Sequence, residues 1–287
     1  MRLALSADSS WNRWHPSYDT LGQWCRDLEV DALELVYYPE NEEFERAPEI
    51  LASYGVDIIC VNATSKQRLM TSADPRPAQD NINRCVDIAA DHGAEFVVLY
   101  PGHVARQKHK ERLEMFRRRI EPCIERAQER NVTLLLENHF DIRGEDPEYT
   151  DFVRDPELTA LYLDALGSPH LRVNFDAGNL YAAGIEPWPY AYRLLRDYIS
   201  YAHLKDMAFY SELLHGPLED NETLADSKTG TFVPVAIGDG GVNYTGLVRE
   251  MAADGNAKVL TFEDHSTAPQ AEEIYRRGVQ YVRAALA

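Results

Sequence analysis

Several apolar runs of this chain end in side chains that can carry charge. The stretch "VTLLLENHF" (132–140) begins with five apolar or β-branched residues and then continues with Glu137, Asn138 and His139. A buried carboxylate without a partner is energetically expensive, so a compensating group should lie close to it. The first question that the sequence raises is therefore what neutralises Glu137.

Chemically similar side chains end three later apolar runs. Asp176 ends "LRVNFD", His203 lies in "YAHLKD" and Glu263 ends "KVLTFE". Three carboxylates and one imidazole suit a divalent metal ion, with Mn²⁺ the best match and Mg²⁺, Co²⁺ or Zn²⁺ left open. Taken singly, each residue has a structural alternative: an ion pair for either glutamate, a turn cap for Asp176 and a core position for His203. Their recurrence at successive runs favours one shared metal site.

The runs that must position these side chains alternate with longer amphipathic stretches. Continuous apolar runs of this length are typical of parallel strands that are covered on both faces. Helical spacing is clearest over 107–130 and 271–286, where apolar residues recur every three or four positions. The eight apolar runs are 3–6, 32–36, 56–62, 96–100, 132–137, 171–176, 199–205 and 258–263.

Eight such repeats in 287 residues predict an α/β fold, a single-domain (β/α)₈ TIM barrel over residues 1–287. The alternative is an open doubly wound sheet, which would predict a glycine-rich segment after the first strand, but residues 6–15 contain no glycine. In a barrel the active site lies where the strands end, so the four side chains should meet at one rim. Residues 206–242 form a long loop after strand seven, and it is either functional or a surface insertion.

Charge and composition exclude several classes of protein. The formal net charge of −18 disfavours binding to nucleic acid. We find no apolar segment long enough to span a membrane and no signal peptide, so we expect a soluble cytoplasmic protein. The four cysteines form no C-x-x-C pair and are expected to be reduced. Whether the protein forms a homo-oligomer is left open.

Further candidates lie close to the predicted ligands. Lys205 follows His203 by two residues, so both side chains can point to the same side of a strand. It could neutralise an oxyanion or bind a substrate carboxylate or phosphate, or else pair with Asp206 at the surface. His139 could act as a general base, and His103, in "YPGH", could bind substrate. For each histidine a structural role stays equally open.

Aromatic residues follow the early runs, among them Trp11, Tyr37 and Tyr100. Aromatic walls suit the C–H faces of a carbohydrate or polyol, but such residues also pack ordinary loops over a barrel mouth. Glu34, in "ALELV", could point inward and bind the substrate, or it could form an ion pair inside the barrel.

Four motifs together resemble a known superfamily. The stretches "LLLENH", "NFDAGN", "AHLKD" and "TFED" are similar to those of the xylose isomerase-like TIM barrels, a group of sugar phosphate isomerases and epimerases. This resemblance implies that Glu137, Asp176, His203 and Glu263 are the metal ligands. It also implies that the two glutamates act as the acid/base pair, as they do in the epimerases.

The chain departs from the ketose epimerases at two positions. Asn179 stands where those enzymes usually have a substrate-binding histidine, and Phe209 stands where they have an arginine. Asn179 is therefore a substrate-binding candidate, and a ketohexose is not singled out as the substrate.

Two enzyme classes and one binding protein match this sequence. The first is a divalent-metal-dependent isomerase or epimerase of a sugar or hydroxyketone, which passes a proton between Glu137 and Glu263 through a metal-stabilised enediolate. The second is a lyase on the same site, either an inosose-type dehydratase or an enzyme that cleaves C-glycosides. The third is a polyol-binding barrel without catalysis.

Overall fold

The computed structural model describes residues 1–7, 17–37, 44–63, 67–105, 108–144, 149–215, 225–263 and 268–287. In chain order, the strands are β1 (Arg2–Ser6), β2 (Ala32–Val36), β3 (Asp57–Asn62), β4 (Phe96–Leu99), β5 (Val104–Ala105), β6 (Thr133–Glu137), β7 (Tyr149–Thr150), β8 (Leu171–Asp176), β9 (Ile199–Leu204), β10 (Asp206–Phe209), β11 (Ala225–Ser227), β12 (Gly230–Val235) and β13 (Val259–Phe262). The α-helices are α1 (Tyr18–Asp27), α2 (Ala47–Ser53), α3 (Arg76–Asp91), α4 (His109–Arg130), α5 (Pro156–Leu166), α6 (Ala177–Ala182), α7 (Tyr192–Leu195), α8 (Glu212–His215), α9 (Tyr244–Asp254) and α10 (Ala268–Leu286).

Eight parallel strands close into one barrel in the order β1-β13-β9-β8-β6-β4-β3-β2. The eight apolar runs of the sequence coincide with these strands to within one residue at either end. The predicted (β/α)₈ barrel in a single domain is therefore confirmed, and the open doubly wound sheet is wrong. In the described ranges, no helix is both long enough and apolar enough to cross a bilayer.

Alternation along the strands separates the barrel interior from the layer under the helices. Leu134 and Leu136 of β6 belong to the main hydrophobic cluster, which includes helix residues such as Phe116. Leu135 belongs to a smaller cluster with Phe96, Tyr201 and residues of other barrel strands, which is the barrel interior. Because side chains alternate with a period of two, Glu137 shares the inward face of Leu135. The same alternation turns Asp176 inward on β8.

Local signals set the ends of the helices. The predicted helices over 107–130 and 271–286 are α4 and α10. Asp155 caps α5 by accepting a hydrogen bond from the backbone N–H of Leu158 at 3.1 Å. Gly167 ends the same helix with a φ of +62°, a left-handed conformation that glycine adopts without strain.

The segment expected to be a long loop after the seventh barrel strand contains regular structure. Strands β10, β12 and β11 form an antiparallel sheet in that order. The sequence gives little signal for this sheet, because its strands are only three to six residues long. Residues 216–224 of the segment lie outside the described residues. A bridge between Ile142 and Ser227 joins the insertion to the loop after β6.

Asp206 organises the glycine-rich turn that ends this insertion. Its carboxylate accepts hydrogen bonds from the backbone N–H groups of Gly238 at 2.9 Å, Gly240 at 3.1 Å and Val242 at 3.3 Å. A Cβ at position 240 would lie 2.2 Å from Asp206 Oδ1, so only glycine permits this approach. The turn is thereby held against the start of β10, next to Lys205.

Replacing Asp206 by alanine removes the shared acceptor of these N–H groups, whose hydrogen bonds are buried or partly buried. We expect Asp206→Ala to lower the free energy of unfolding by about 2–4 kcal/mol, since each unsatisfied group costs roughly 1–3 kcal/mol. Chemical denaturation followed by circular dichroism would measure the loss. Asp226→Ala, on the exposed side of β11, is the control and should change stability by less than about 1 kcal/mol. Equal losses in both variants would contradict this role of Asp206.

Candidate metal centre and active site

Four side chains converge where neighbouring barrel strands end. Glu137, Asp176, His203 and Glu263 each offer a donor atom, and these atoms lie within 4.8 Å of one another. All four residues are buried. Their strands β6, β8, β9 and β13 are adjacent in the barrel, and Asp176 is the register partner of His203. The arrangement has the ligand number and chemistry of a divalent metal site.

The two nitrogens of His203 face different partners. Nδ1 lies 3.2 Å from Glu137 Oε1 and 3.4 Å from Glu263 Oε2, so this nitrogen faces the carboxylate cluster. Nε2 lies 3.0 Å from Glu34 Oε2, inside the barrel. Glu34 thus forms the interior ion pair that the sequence left open as its alternative role. A carboxylate on the second ring nitrogen is the usual device that orients a metal-binding histidine.

Asp176 uses its two oxygens for different purposes. Oδ1 accepts a hydrogen bond from the backbone N–H of Asn179 at 2.8 Å and so caps α6, while Oδ2 lies 2.9 Å from Lys205 Nζ. Asn138 holds the backbone of Asp176 on both sides, since its Oδ1 accepts from the N–H at 3.0 Å and its Nδ2 donates to the carbonyl at 2.8 Å. The cap and the position in the cluster are therefore compatible.

Lys205 is buried against the same cluster. Its Nζ lies 2.6 Å from Glu263 Oε2 in addition to its contact with Asp176. Lys205 thus pairs with these two carboxylates rather than with Asp206 at the surface. Gly178 allows this packing, because a Cβ there would lie 2.2 Å from the carbonyl oxygen of Lys205.

The cluster holds more negative than positive charge in a dry setting. Its carboxylates are Glu34, Glu137, Asp176 and Glu263, and its basic groups are His203 and Lys205. Burial raises the pKa of Asp176 to about 6, with the Glu263 charge adding to the shift and Lys205 opposing it. Burial alone would lower the pKa of His203, but Glu34 and Glu263 together raise it well above its ordinary value. A divalent cation would neutralise the surplus, so the residues fit such an ion.

His139 lies beside the cluster with a neutral ring. Burial lowers the pKa of His139 to about 3, with the charge of Lys205 contributing. Its backbone N–H donates to Asp151 Oδ2 at 3.0 Å, and its Nδ1 lies 3.2 Å from the Phe140 carbonyl oxygen. The contact with Phe140 assigns the proton to Nδ1, which leaves Nε2 as a proton acceptor.

His103 lies next to Tyr100, which in turn contacts His139. The Tyr100 hydroxyl is 3.0 Å from His103 Nδ1, and the rings of Tyr100 and His139 are 5.0 Å apart. His103 Nε2 is 3.8 Å from Asp141 Oδ1. Both histidines predicted from the sequence therefore lie in one group around Tyr100. The sequence offered no signal for Asp141, which simply follows the "ENHF" stretch.

The remaining substrate-binding candidates have other contacts. Tyr37 is buried and packs edge-on against Phe44 at 5.2 Å, which is the packing role considered for the aromatic residues. Asn179 donates from Nδ2 to the carbonyl of Asn138 at 3.0 Å, so its amide nitrogen is already engaged. Trp11 lies outside the described residues.

Sequence reasoning missed one cation near the cluster. The guanidinium carbon of Arg68 lies 5.0 Å from the centre of the Tyr100 ring. The residue belongs to the segment between β3 and α3, and Glu137 is close enough to affect its pKa. Nothing in the sequence around position 68 distinguishes this arginine from an exposed loop residue.

Comparison with known proteins now assigns the family. The profile described as "Xylose isomerase-like TIM barrel" matches residues 23–285. The chain belongs to this family, and the resemblance stated from its motifs is confirmed. No curated protein matches the chain at a significant level.

Solved structures share the fold over nearly the whole chain at low identity. A probable 3-DHS dehydratase from Bacillus anthracis is 20% identical, with 99% of each chain covered and a TM-score of 0.71. A D-tagatose 3-epimerase-like protein is 19% identical, with 100% of each chain covered and a TM-score of 0.72. The IolI protein with a bound zinc atom is 15% identical, with 100% of this chain and 98% of that chain covered and a TM-score of 0.69. At these identities the similarity is one of fold.

Removing a donor from the cluster should remove the metal. We expect Asp176→Asn and His203→Ala each to weaken Mn²⁺ binding strongly. The loss should exceed the ~10–100-fold that is typical when a residue hydrogen-bonded to a metal ligand is replaced. Asp176→Asn retains an oxygen that can cap α6, so the loss should not reflect unfolding. Emission spectrometry of purified protein and Mn²⁺ titration would measure it. Asp197→Asn, at an exposed turn, is the control, and unchanged occupancy in both cluster variants would refute the site.

Glu34 should act on the metal through His203. Glu34→Gln keeps a hydrogen-bond acceptor for Nε2 but removes the charge, so we expect Mn²⁺ affinity to fall by about 10-fold. The same titration measures the change, and thermal unfolding checks that the barrel interior is intact. An affinity equal to that of the unmodified protein would show that Glu34 does not tune the imidazole.

Proposed function

We propose that this protein is a divalent-metal-dependent isomerase or epimerase that acts on a sugar or a related hydroxyketone. One observation carries the proposal: Glu137 and Glu263 both approach Nδ1 of His203, at 3.2 Å and 3.4 Å, within a buried four-donor cluster. Two carboxylates that share one small site can flank a substrate carbon. Mn²⁺ is the proposed ion, because a set of three oxygens and one imidazole nitrogen suits it.

The bound ion would act as a Lewis acid that polarises the substrate carbonyl. Glu137 and Glu263 would remove a proton from the neighbouring carbon and return it, either to the opposite face or to the adjacent carbon. Return to the opposite face is epimerisation, and return to the adjacent carbon is aldose–ketose isomerisation. Burial of both carboxylates keeps bulk water away from the enediolate that forms between the two steps.

Lys205 supports this chemistry by its charge. Its ammonium contacts Glu263 and Asp176, and those carboxylates raise the pKa of Lys205 although burial alone would lower it. Lys205 therefore stays protonated. A fixed positive charge beside the site stabilises negative charge that develops on a substrate oxygen during proton removal.

A lyase on the same site is the second candidate, and the state of His139 favours it. The neutral ring has an accepting Nε2 and lies in the group with Tyr100 and His103. Such a base could abstract the proton next to the carbonyl, and a protonated partner could deliver a proton to the departing hydroxyl. The products would be water and an unsaturated ketone.

Solvent exchange tests the proposal directly. In deuterium oxide, Mn²⁺-loaded protein given a panel of ketoses and hydroxyketones should place deuterium next to the carbonyl of one of them. Glu263→Gln should slow this exchange by about 10²–10⁴-fold, the usual worth of a positioned acid or base. Metal content is measured on the same samples, and exposed Glu95→Gln is the control.

The products separate the two candidate enzymes. Retained carbon skeleton and hydroxyl groups, with exchange persisting in His139→Gln, support the isomerase or epimerase. Release of water, abolished in His139→Gln, supports the lyase instead. Metal-loaded protein that exchanges no proton on any tested compound would refute both and leave a binding protein.

A further inference from the structure

Arg68 lies over the aromatic ring that borders the cluster. Its guanidinium carbon is 5.0 Å from the centre of the Tyr100 ring, within the range of a cation–π contact. His139 is another neighbour of Tyr100, since the centres of their two rings are 5.0 Å apart. Arg68 therefore belongs to the surroundings of the proposed catalytic groups, although it is remote from them in sequence.

Several hydrogen bonds hold the backbone of the segment that carries Arg68. The backbone N–H of Arg68 donates to Ser72 Oγ at 3.1 Å, which closes the segment on itself. Gly102 lies so close that a Cβ there would be 2.5 Å from the Cβ of Arg68. Nη1 of Arg119 donates to the carbonyl oxygens of Leu69 at 2.8 Å, Met70 at 3.0 Å and Ser72 at 2.9 Å. The backbone that carries Arg68 is thus fixed by these contacts, which lowers the entropic cost of placing its side chain on a ligand.

The contact that the structure describes for the Arg68 guanidinium is with an aromatic ring. In the described part of the chain, no carboxylate forms an ion pair with its guanidinium, although acidic residues outnumber basic ones by 47 to 29. Burial lowers the pKa of Arg68, with the Tyr100 and Glu137 charges opposing the shift. Arg112 is also buried but donates to the Tyr162 hydroxyl at 3.1 Å. A partly buried cation that lacks such a bond is costly unless a ligand supplies it.

We infer that Arg68 binds a carboxylate of the substrate, which makes the substrate a hydroxyketo acid rather than a neutral sugar. This inference rests on the proposed function. The planar guanidinium matches a carboxylate in two parallel hydrogen bonds. With the acid end on Arg68, the hydroxyketone oxygens of the same molecule extend toward the four-donor cluster.

The charge balance favours a carboxylate over a phosphate. Lys205 is already engaged by Asp176 and Glu263, so Arg68 is the cation left for a ligand among these described groups. A carboxylate brings one negative charge, which Arg68 matches. A phosphate brings close to two, and the second would lie in a rim that already holds Glu137.

A matched set of ligands tests the inference. The neutral L-sorbose and the acid 5-keto-D-gluconate differ only by a hydroxymethyl group in place of a carboxylate, and L-sorbose 6-phosphate carries a phosphate at that end. Calorimetric titration of each into the Mn²⁺-loaded full chain gives the binding ratios. The variants are Arg68→Gln and Arg68→Lys, with Arg26→Gln as control, since Arg26 also lies over a tyrosine ring, that of Tyr54, at 5.5 Å.

We expect the keto acid to bind at least about 10-fold more tightly than L-sorbose, the worth of one charge-assisted hydrogen-bond pair. Arg68→Gln should abolish that preference without changing the affinity for L-sorbose, and Arg68→Lys should retain part of it. Arg26→Gln should leave every ratio unchanged.

Three results would overturn the inference. They are a preference for the acid that survives Arg68→Gln, no binding of the keto acid to metal-loaded protein, and a larger Arg68-dependent preference for the phosphate. Loss of the proposed function would be seen separately, as protein that holds no metal and exchanges no proton. The ratios with and without Arg68 are measured on metal-loaded protein and need no proton exchange, so they are decided independently of turnover.

Discussion

The imidazole of His203 is the interaction on which the rest of the site depends. It lies between Glu34, inside the barrel, and the carboxylates of Glu137 and Glu263, at the rim. Burial of so many carboxylates is energetically tolerated only if each contacts a cation, a hydrogen-bond donor or a metal ion. The orientation of one ring thus couples the barrel interior to the carboxylates at its mouth, because turning the ring would take Nε2 away from the Glu34 carboxylate.

The surrounding structure serves to keep that arrangement in place. Asn138 holds the backbone of Asp176 by two hydrogen bonds, which ties the ends of β6 and β8 together. Gly178 lets the start of α6 approach the carbonyl of Lys205. Asp206 then folds the glycine-rich turn of the insertion back beside the same lysine. Each of these contacts acts on the backbone of a segment and so positions the side chains that the segment carries.

Lys205 and Arg68 are cations near the site whose charges are compensated differently in the described residues. Lys205 is compensated within the protein, by Glu263 at 2.6 Å and Asp176 at 2.9 Å. Arg68 lies over Tyr100 without such a pair in the described residues, on a segment whose backbone carbonyls accept hydrogen bonds from Arg119. This difference is the reason for proposing that an anionic group of the substrate binds at Arg68.

The sequence by itself determined the barrel and the position of its charged strand ends. Continuous apolar runs specify buried parallel strands wherever they are placed, and a residue such as Glu137 at the end of a run must reach the rim. The tertiary structure alone decided which partners those residues meet. Glu34 proved to pair with His203, Tyr37 packs against Phe44, and the insertion after β9 folds into a small sheet. Arg68 comes to lie over Tyr100 because strands β3 and β4 are neighbours, a relation between distant segments that spacing and composition do not encode.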